Sequence, residues 1–139
     1  MKTFEELYCY QKAVEIRRKI SGLVKTFPTE EKYRLVDQLI RSSRSAPSQI
    51  AEGYGRFHYQ ENIQFCRQGR GSLYELVDHL IVAKEENYLS ADKFEELKAE
   101  VLECITVLNG YINYLVKAKA NSGRVEEPAS TYGEATIND

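Results

Sequence analysis

SADKFEELKAEVLECITVLNGYINYLVKAK, residues 90–119, is the stretch that decides the fold. Phe94, Leu97, Val101, Ile105, Leu108, Ile112 and Leu115 recur three and four residues apart. That spacing lines one face of an α-helix and leaves the other face charged. Ser90 or Asp92 is placed to cap its N-terminus, because a short side-chain oxygen there accepts a hydrogen bond from an otherwise unpaired amide. A helix this long with one apolar stripe cannot stand alone in water and must bury that stripe against others.

Working back from it, Asn87 to Ser90 read as a short turn. Before that turn, residues 58–86 carry a second stripe: Cys66, Gly69, Leu73, Leu76, Val77 and Leu80. Gly69 lies on this stripe, so a neighbouring backbone is expected to pack closely there; mid-helix glycine otherwise costs about 1 kcal/mol relative to alanine. Gly71 lies on another face, where a second subunit is the expected neighbour. Further back, Leu35, Leu39, Ser43, Ala46 and Ile50 form the inner face of a helix that Thr29 is expected to cap and that Gly53 and Gly55 are expected to end near Glu52. Pro47 falls inside it and should kink it, with Ser42, Ser43 and Ser45 at hand to take up the freed carbonyl. The first helix is expected over residues 4–26, with Ala13, Ile16, Ile20, Leu23 and Val24 inward, and Phe27-Pro28 stops it.

Four helices joined by short turns must pack antiparallel against their sequence neighbours. The expectation is therefore an all-α chain, an antiparallel up-down-up-down four-helix bundle over residues 1–120. Residues 121–139 are unpatterned and acidic, and are expected to be a disordered tail. Three prolines among 139 residues are poor punctuation for an all-β chain.

The totals narrow the function classes. No apolar run approaches the roughly 20 residues needed to span a membrane, and the N-terminus carries no apolar secretory segment. Cys9, Cys66 and Cys104 are odd in number and widely spaced, which argues against disulfides and a thiolate metal site and for core packing in a reducing cytoplasm. Net charge is −2, unevenly placed: residues 1–57 hold eleven Lys/Arg against seven Asp/Glu, net +4. This permits a local basic patch without the strongly basic balance of an obvious nucleic-acid binder.

No catalytic constellation emerges. Neither His58 nor His79 has the Glu-x-x-His spacing of a di-iron bundle, although Glu75 and His79 share a face and can bind one another. Gly53-Tyr54-Gly55 lacks the following Gly-Lys-Ser/Thr of a phosphate loop. No nucleophile–base set can be assembled. The expectation is a protein that is not an enzyme and uses no cofactor and no metal.

Charged faces offer more. Arg34, Asp37, Arg41, Arg44, Ser48 and Glu52 fall within an arc of about 80° on one helix. That arc reads either as a phosphate-binding stripe or as an ordinary solvated face with an Asp37–Arg41 pair. Arg56, Arg67 and Arg70 add charge, and Tyr54, Phe57 and Tyr59 beside them could stack unpaired bases or pack a helix corner. The candidate nucleic-acid-binding set is Arg41, Arg44, Arg56, Arg67 and Arg70. For a subunit interface the candidates are Gly71 and the Tyr111/Tyr114 side of the last helix, read as an exposed aromatic stripe.

The central residues also carry a resemblance. Phe27-Pro28-x-Glu30-Glu31-x-Tyr33-x-Leu35, Gln38-x-x-Arg41, Ser45-x-Pro47-Ser48-x-Ile50-Ala51-Glu52-Gly53-Tyr54-Gly55-Arg56, Phe65, Arg70-Gly71-Ser72-Leu73-x-Glu75-Leu76 and the leading Phe4-Glu5-x-Leu7 resemble the four-helix-bundle family whose founding members are encoded in intervening sequences of bacterial 23S ribosomal RNA genes. The resemblance covers residues 4–118. It implies bundle protomers assembled into a ring-like homopentamer. It also implies kinship with the accessory protein of diversity-generating retroelements, which partners a reverse transcriptase and nucleic acid through a basic surface. Ile40 stands where a second arginine is usual, Arg34 replaces a usual glycine, Gln49 a usual asparagine, and Cys66-Arg67-Gln68-Gly69 a more apolar stretch.

Two functions follow from these readings: a homo-oligomeric accessory protein binding structured RNA or DNA, or an interaction scaffold for another protein with no nucleic-acid role. The overall acidity, with a pI of about 5.8, speaks for the second.

Overall fold

A computed structural model describes residues 2–122, and every regular element among them is helical. The four helices are α1 (Tyr8–Leu23), α2 (Leu35–Gly55), α3 (Tyr59–Glu85) and α4 (Ala91–Asn121). A single 3-10 turn at Phe4–Glu6 precedes α1, and two more, Val24–Thr26 and Thr29–Glu31, lie in the connection from α1 to α2. Of the expected tail, Asn121 instead ends α4 and Ser122 caps it, and residues 123–139 lie outside the described residues.

Cross-helix contacts set the topology. Gly53 of α2 faces Asn62 of α3, Ala46 faces Gly69, and Ser45 and Ser72 share a hydrogen bond at 2.9 Å. Numbers fall on one helix as they rise on the other, so α2 and α3 run antiparallel. The same descent pairs α3 with α4: Gln60 accepts from Lys119, Arg70 donates to Asn109, and the Lys84 ammonium sits over the Phe94 ring. Lys12–Glu103 at 3.3 Å and Lys19–Glu100 at 2.7 Å close α1 onto α4. This is the up-down-up-down bundle of the sequence reading. Its core is the stripe set already named, with Leu39, Ile50, Leu73, Leu76, Leu80, Leu108 and Leu115 sealed from solvent.

Three local expectations are corrected. The first helix is broken at Leu7, which turns extended and drives its fully buried side chain into the core, while Thr3 caps the preceding 3-10 turn. Thr29 does not cap α2. Glu31 is instead held by two partners, accepting from the Tyr88 hydroxyl at 2.8 Å and from the Leu35 amide at 3.3 Å, so α2 begins only at Leu35. Nor do the glycines end α2 at Glu52, since the helix runs through both to Gly55. Gly53 is there because α3 passes too close for a side chain: a Cβ would lie 2.7 Å from the Asn62 carboxamide oxygen and 2.9 Å from the Phe65 Cβ.

Gly69 behaves as its stripe position implied. A Cβ on it would lie 3.2 Å from the Ala46 carbonyl oxygen. Pro47 is buried inside α2 without ending it. The nearby hydroxyls do not serve the carbonyl it frees. Ser42 donates to the carbonyls of Gln38 and Leu39, and Ser43 to that of Ile40, which satisfies two buried hydroxyls within their own helix. Ser90 caps α4 as expected, accepting from the Lys93 amide at 3.1 Å.

Candidate nucleic-acid interface

The five arginines singled out do not form one patch. Arg41 stands on the exposed crest of α2, its side chain 80% exposed, with Asp37 at 3.7 Å. It lines an open polar groove of about 390 Å³ between α2 and α3, together with Asp37, Ser42, Ser45 and Glu75. Two carboxylates in that groove oppose an anionic ligand. Arg56, at the α2–α3 corner, is matched twice, by Glu52 at 3.0 Å and Glu61 at 3.5 Å, and its guanidinium lies 4.9 Å from the Phe65 ring centre. Arg70 reaches across to α4 and donates to the Asn109 carboxamide oxygen at 2.8 Å. Its partner is neutral, so its charge is retained but its position is fixed. Arg44 and Arg67 are exposed, and among the described residues no carboxylate pairs with either.

The aromatics beside them divide. Tyr54 and Tyr59 are buried packing residues, and only Phe57 is exposed. Phe57 sits at the corner in the left-handed region, φ 55°, a conformation that a bulky side chain adopts only under constraint.

The interface expectation also divides. Tyr111 is sealed inside the protomer, so an exposed stripe on its side of α4 is overturned. It lies on the seam of Cys104, Leu108 and Leu115, and the Asn62 carboxamide donates to its hydroxyl at 3.1 Å. Tyr114 stacks on it with centroids 6.4 Å apart and is half-buried. Gly71 is exposed, with nothing within 4 Å of a notional Cβ.

The sequence reading missed an exposed apolar set beside the Arg70–Asn109 bridge. Tyr74 and Ile81 lie on α3, and Leu102 and Val116 flank Asn109 on α4 at seven-residue spacing, which keeps each set on one helix face. All four are among the large apolar side chains left exposed, Tyr74 at 54%. They fall either side of the Arg70–Asn109 bridge. Seven-residue recurrence was the signal that could have found them.

Other groups behave as structural parts. Cys9, Cys66 and Cys104 are free and buried. Burial pushes the Cys66 and Cys104 thiols up to about 12 and pushes the Cys9 thiol well above its ordinary range, with the other two cysteines adding to it. Cys66 donates to the Asn62 carboxamide oxygen. His79 meets Glu75 at 3.1 Å as their shared face implied. Among the described residues no group of three His, Cys, Asp or Glu is placed to hold a metal ion. No helix among them is long and apolar enough to cross a membrane.

What these features define is an all-helical four-helix bundle around an apolar core. Residues 5–110 match the model of the 23S rRNA-intervening sequence protein family. The chain belongs to that family. No curated protein matches it.

Proposed function

We propose that this chain is a non-enzymatic, self-associating, cytoplasmic bundle that binds nucleic acid, with structured RNA as its ligand. The observation that carries the reading is the set of exposed arginines that no carboxylate pairs with among the described residues, Arg44 among them. Arginine is suited to the role because its planar fork meets phosphate oxygens two at a time. Weak charge per protomer is multiplied when several copies present it to one strand. The exposed apolar set of Tyr74, Ile81, Leu102 and Val116 supports self-association.

The test is anisotropy of a fluorescent structured RNA and a matched duplex DNA at low and at physiological salt. Binding that weakens steeply with salt is expected, since phosphate contacts release counterions. Charge reversal at Arg44 should weaken it without unfolding the bundle. Absence of binding at low salt would sink the reading. The scaffold reading would then stand, with the Tyr74/Leu102 face as the docking surface for a protein partner.

A further inference from the structure

Arg67 apart, the arginines without an ion-pair partner among the described residues lie on α1, on α2 and at the end of the connection between them, and two of the four, Arg17 and Arg18, are not among those the sequence pointed to. Arg17, Arg18, Arg34 and Arg44 form no ion pair among the described residues. Lys12 and Lys19 mark the flank of α1 that faces α4, through Glu103 and Glu100. At about 100° per residue, Arg17 lies roughly 140–160° round the helix from those two lysines, on the flank toward α2. Arg18 lies on the exposed crest beside it. On α2, Ser45 marks the flank toward α3 through its bond to Ser72. Arg44 is one residue earlier, turned about 100° away from that seam toward α1. Arg34 heads α2, at the end of the α1–α2 connection.

Carboxylates near this edge are mostly engaged elsewhere. Glu15 is drawn to Lys12, Asp37 to Arg41, and Glu31 to Tyr88. Two exposed carboxylates oppose the edge, Glu30 at its loop end and Glu5, which with Glu15 lines a groove beside Arg18.

Beside Arg34 stands Tyr33, 83% exposed, more than any other large apolar side chain described. A tyrosine ring held this far out of the core packs against nothing that explains it. The Lys32 ammonium lies 5.3 Å from its ring centre. A flat aromatic face flanked by cations is the arrangement on which an unpaired base stacks while its phosphates are held.

We infer that the α1–α2 edge is a single-strand track, in which Arg17, Arg18, Arg34 and Arg44 hold consecutive phosphates and Tyr33 stacks a base at the loop end. The inference rests on the nucleic-acid reading above and narrows its site and its ligand. The track takes an unpaired strand or a loop rather than a duplex, since a paired base cannot reach Tyr33. A lipid surface is the poorer fit, because the edge offers one aromatic side chain and no apolar face to insert.

The experiment uses the full chain with fluorescent oligouridylate, oligothymidylate and a duplex of the same length. Three variants are compared: Arg17→Glu with Arg18→Glu, Tyr33→Ala, and Arg56→Glu with Arg67→Glu. All changes are at exposed or half-exposed positions, and circular dichroism checks that each variant is folded. The first should weaken single-strand binding at least ~10-fold at low salt and lower the slope of log affinity against log salt by about 1.4, two phosphates' worth. The second should weaken it about tenfold with the salt slope unchanged, as loss of one stacked base does. The third should bind nearly as the parent does.

Binding lost through Arg56 and Arg67 but not through Arg17 and Arg18 would overturn the track and leave nucleic-acid binding intact. So would a preference for duplex, or polyglutamate competing as well as oligouridylate, which would point to an acidic protein. No binding of any nucleic acid by the parent would remove the broader reading itself.

Discussion

The carboxamide of Asn62 donates to the hydroxyl of Tyr111 at 3.1 Å, and both side chains are fully sealed from solvent. Asn62 also accepts from the Cys66 thiol, and it can lie so deep only because Gly53 leaves it room. A sequence glycine, a buried amide and a tyrosine hydroxyl thus form one unit across α2, α3 and α4. Buried polar groups cost little while paired and a great deal when a partner is removed.

Removing one side of that pair should therefore be felt. Tyr111→Phe deletes a single oxygen yet strands a buried amide donor, and is expected to lower unfolding free energy by about 1–3 kcal/mol. Urea denaturation followed by circular dichroism measures it. A loss below a few tenths would mean the hydrogen bond adds nothing.

Glycine substitutions should split by sign. Gly53→Ala forces its methyl against Asn62 and Phe65 and is expected to destabilise by roughly 1–3 kcal/mol. Gly55→Ala and Gly71→Ala meet open space and replace a poor helix former, so each should stabilise the protomer by up to about 1 kcal/mol. At the corner, Phe57→Gly relieves a left-handed backbone and should stabilise by about 1 kcal/mol. Thermal melts of the four variants would show the pattern, and a uniform sign would refute it.

Alkaline pH should loosen the fold. The Cys66 and Cys104 thiols rise from 9.0 to about 12 on burial, and Tyr88 rises from 10.0 to about 12, mainly because the Glu31 carboxylate accepts its hydrogen bond. Each group has a folded pKa above its unfolded one. The stability linked to them is complete below the unfolded values and is lost as pH climbs from 9.0 through about 12. Melting temperature should be flat from neutrality to about pH 9 and fall beyond it. At neutral pH the three thiols should resist a thiol-specific reagent until the chain is unfolded.

Self-association should depend on the face that Tyr74 and Leu102 share beside the Arg70–Asn109 bridge. Tyr74→Glu and Leu102→Lys place charges among exposed apolar groups, and are expected to lower the oligomeric state in analytical ultracentrifugation while leaving the protomer's melt nearly unchanged. If both variants sediment as the parent does, that face is not where copies meet.

Much of the fold was legible because helical periodicity is a local property. The α4 stripe, the glycine at 69 and the Ser90 cap each depend on residues a turn or two apart. What was misread depended on distant partners. Thr29 looked like a cap by residue type, but Glu31 is held by Tyr88 and itself receives the Leu35 amide, and nothing local announces Tyr88. Gly53 looked like a terminator because glycine usually is one, and only the approach of α3 shows otherwise. Tyr111 was misread for a different reason: its spacing from Cys104, Leu108 and Leu115 placed it on the seam, but a hydroxyl suggests the surface until a buried donor is found for it. The arginines were visible from the start. Which of them keep their charge unmatched was not, since Arg56 is neutralised partly by Glu61 on the next helix.

Gly53 against Asn62, Gly69 against Ala46 and Ser45 against Ser72 fasten α2 to α3 by three contacts at two heights, around a corner of only three residues, Arg56 to His58. So short a corner makes the loop-closure entropy of this pair small. The hairpin is therefore expected to assemble first, with α1 and α4 condensing on it later. Substitutions at these three contacts should slow refolding, while truncations such as Ile20→Ala on α1 should chiefly hasten unfolding. The contacts that spare α2 and α3 their side chains would then also set the pace at which the whole bundle forms.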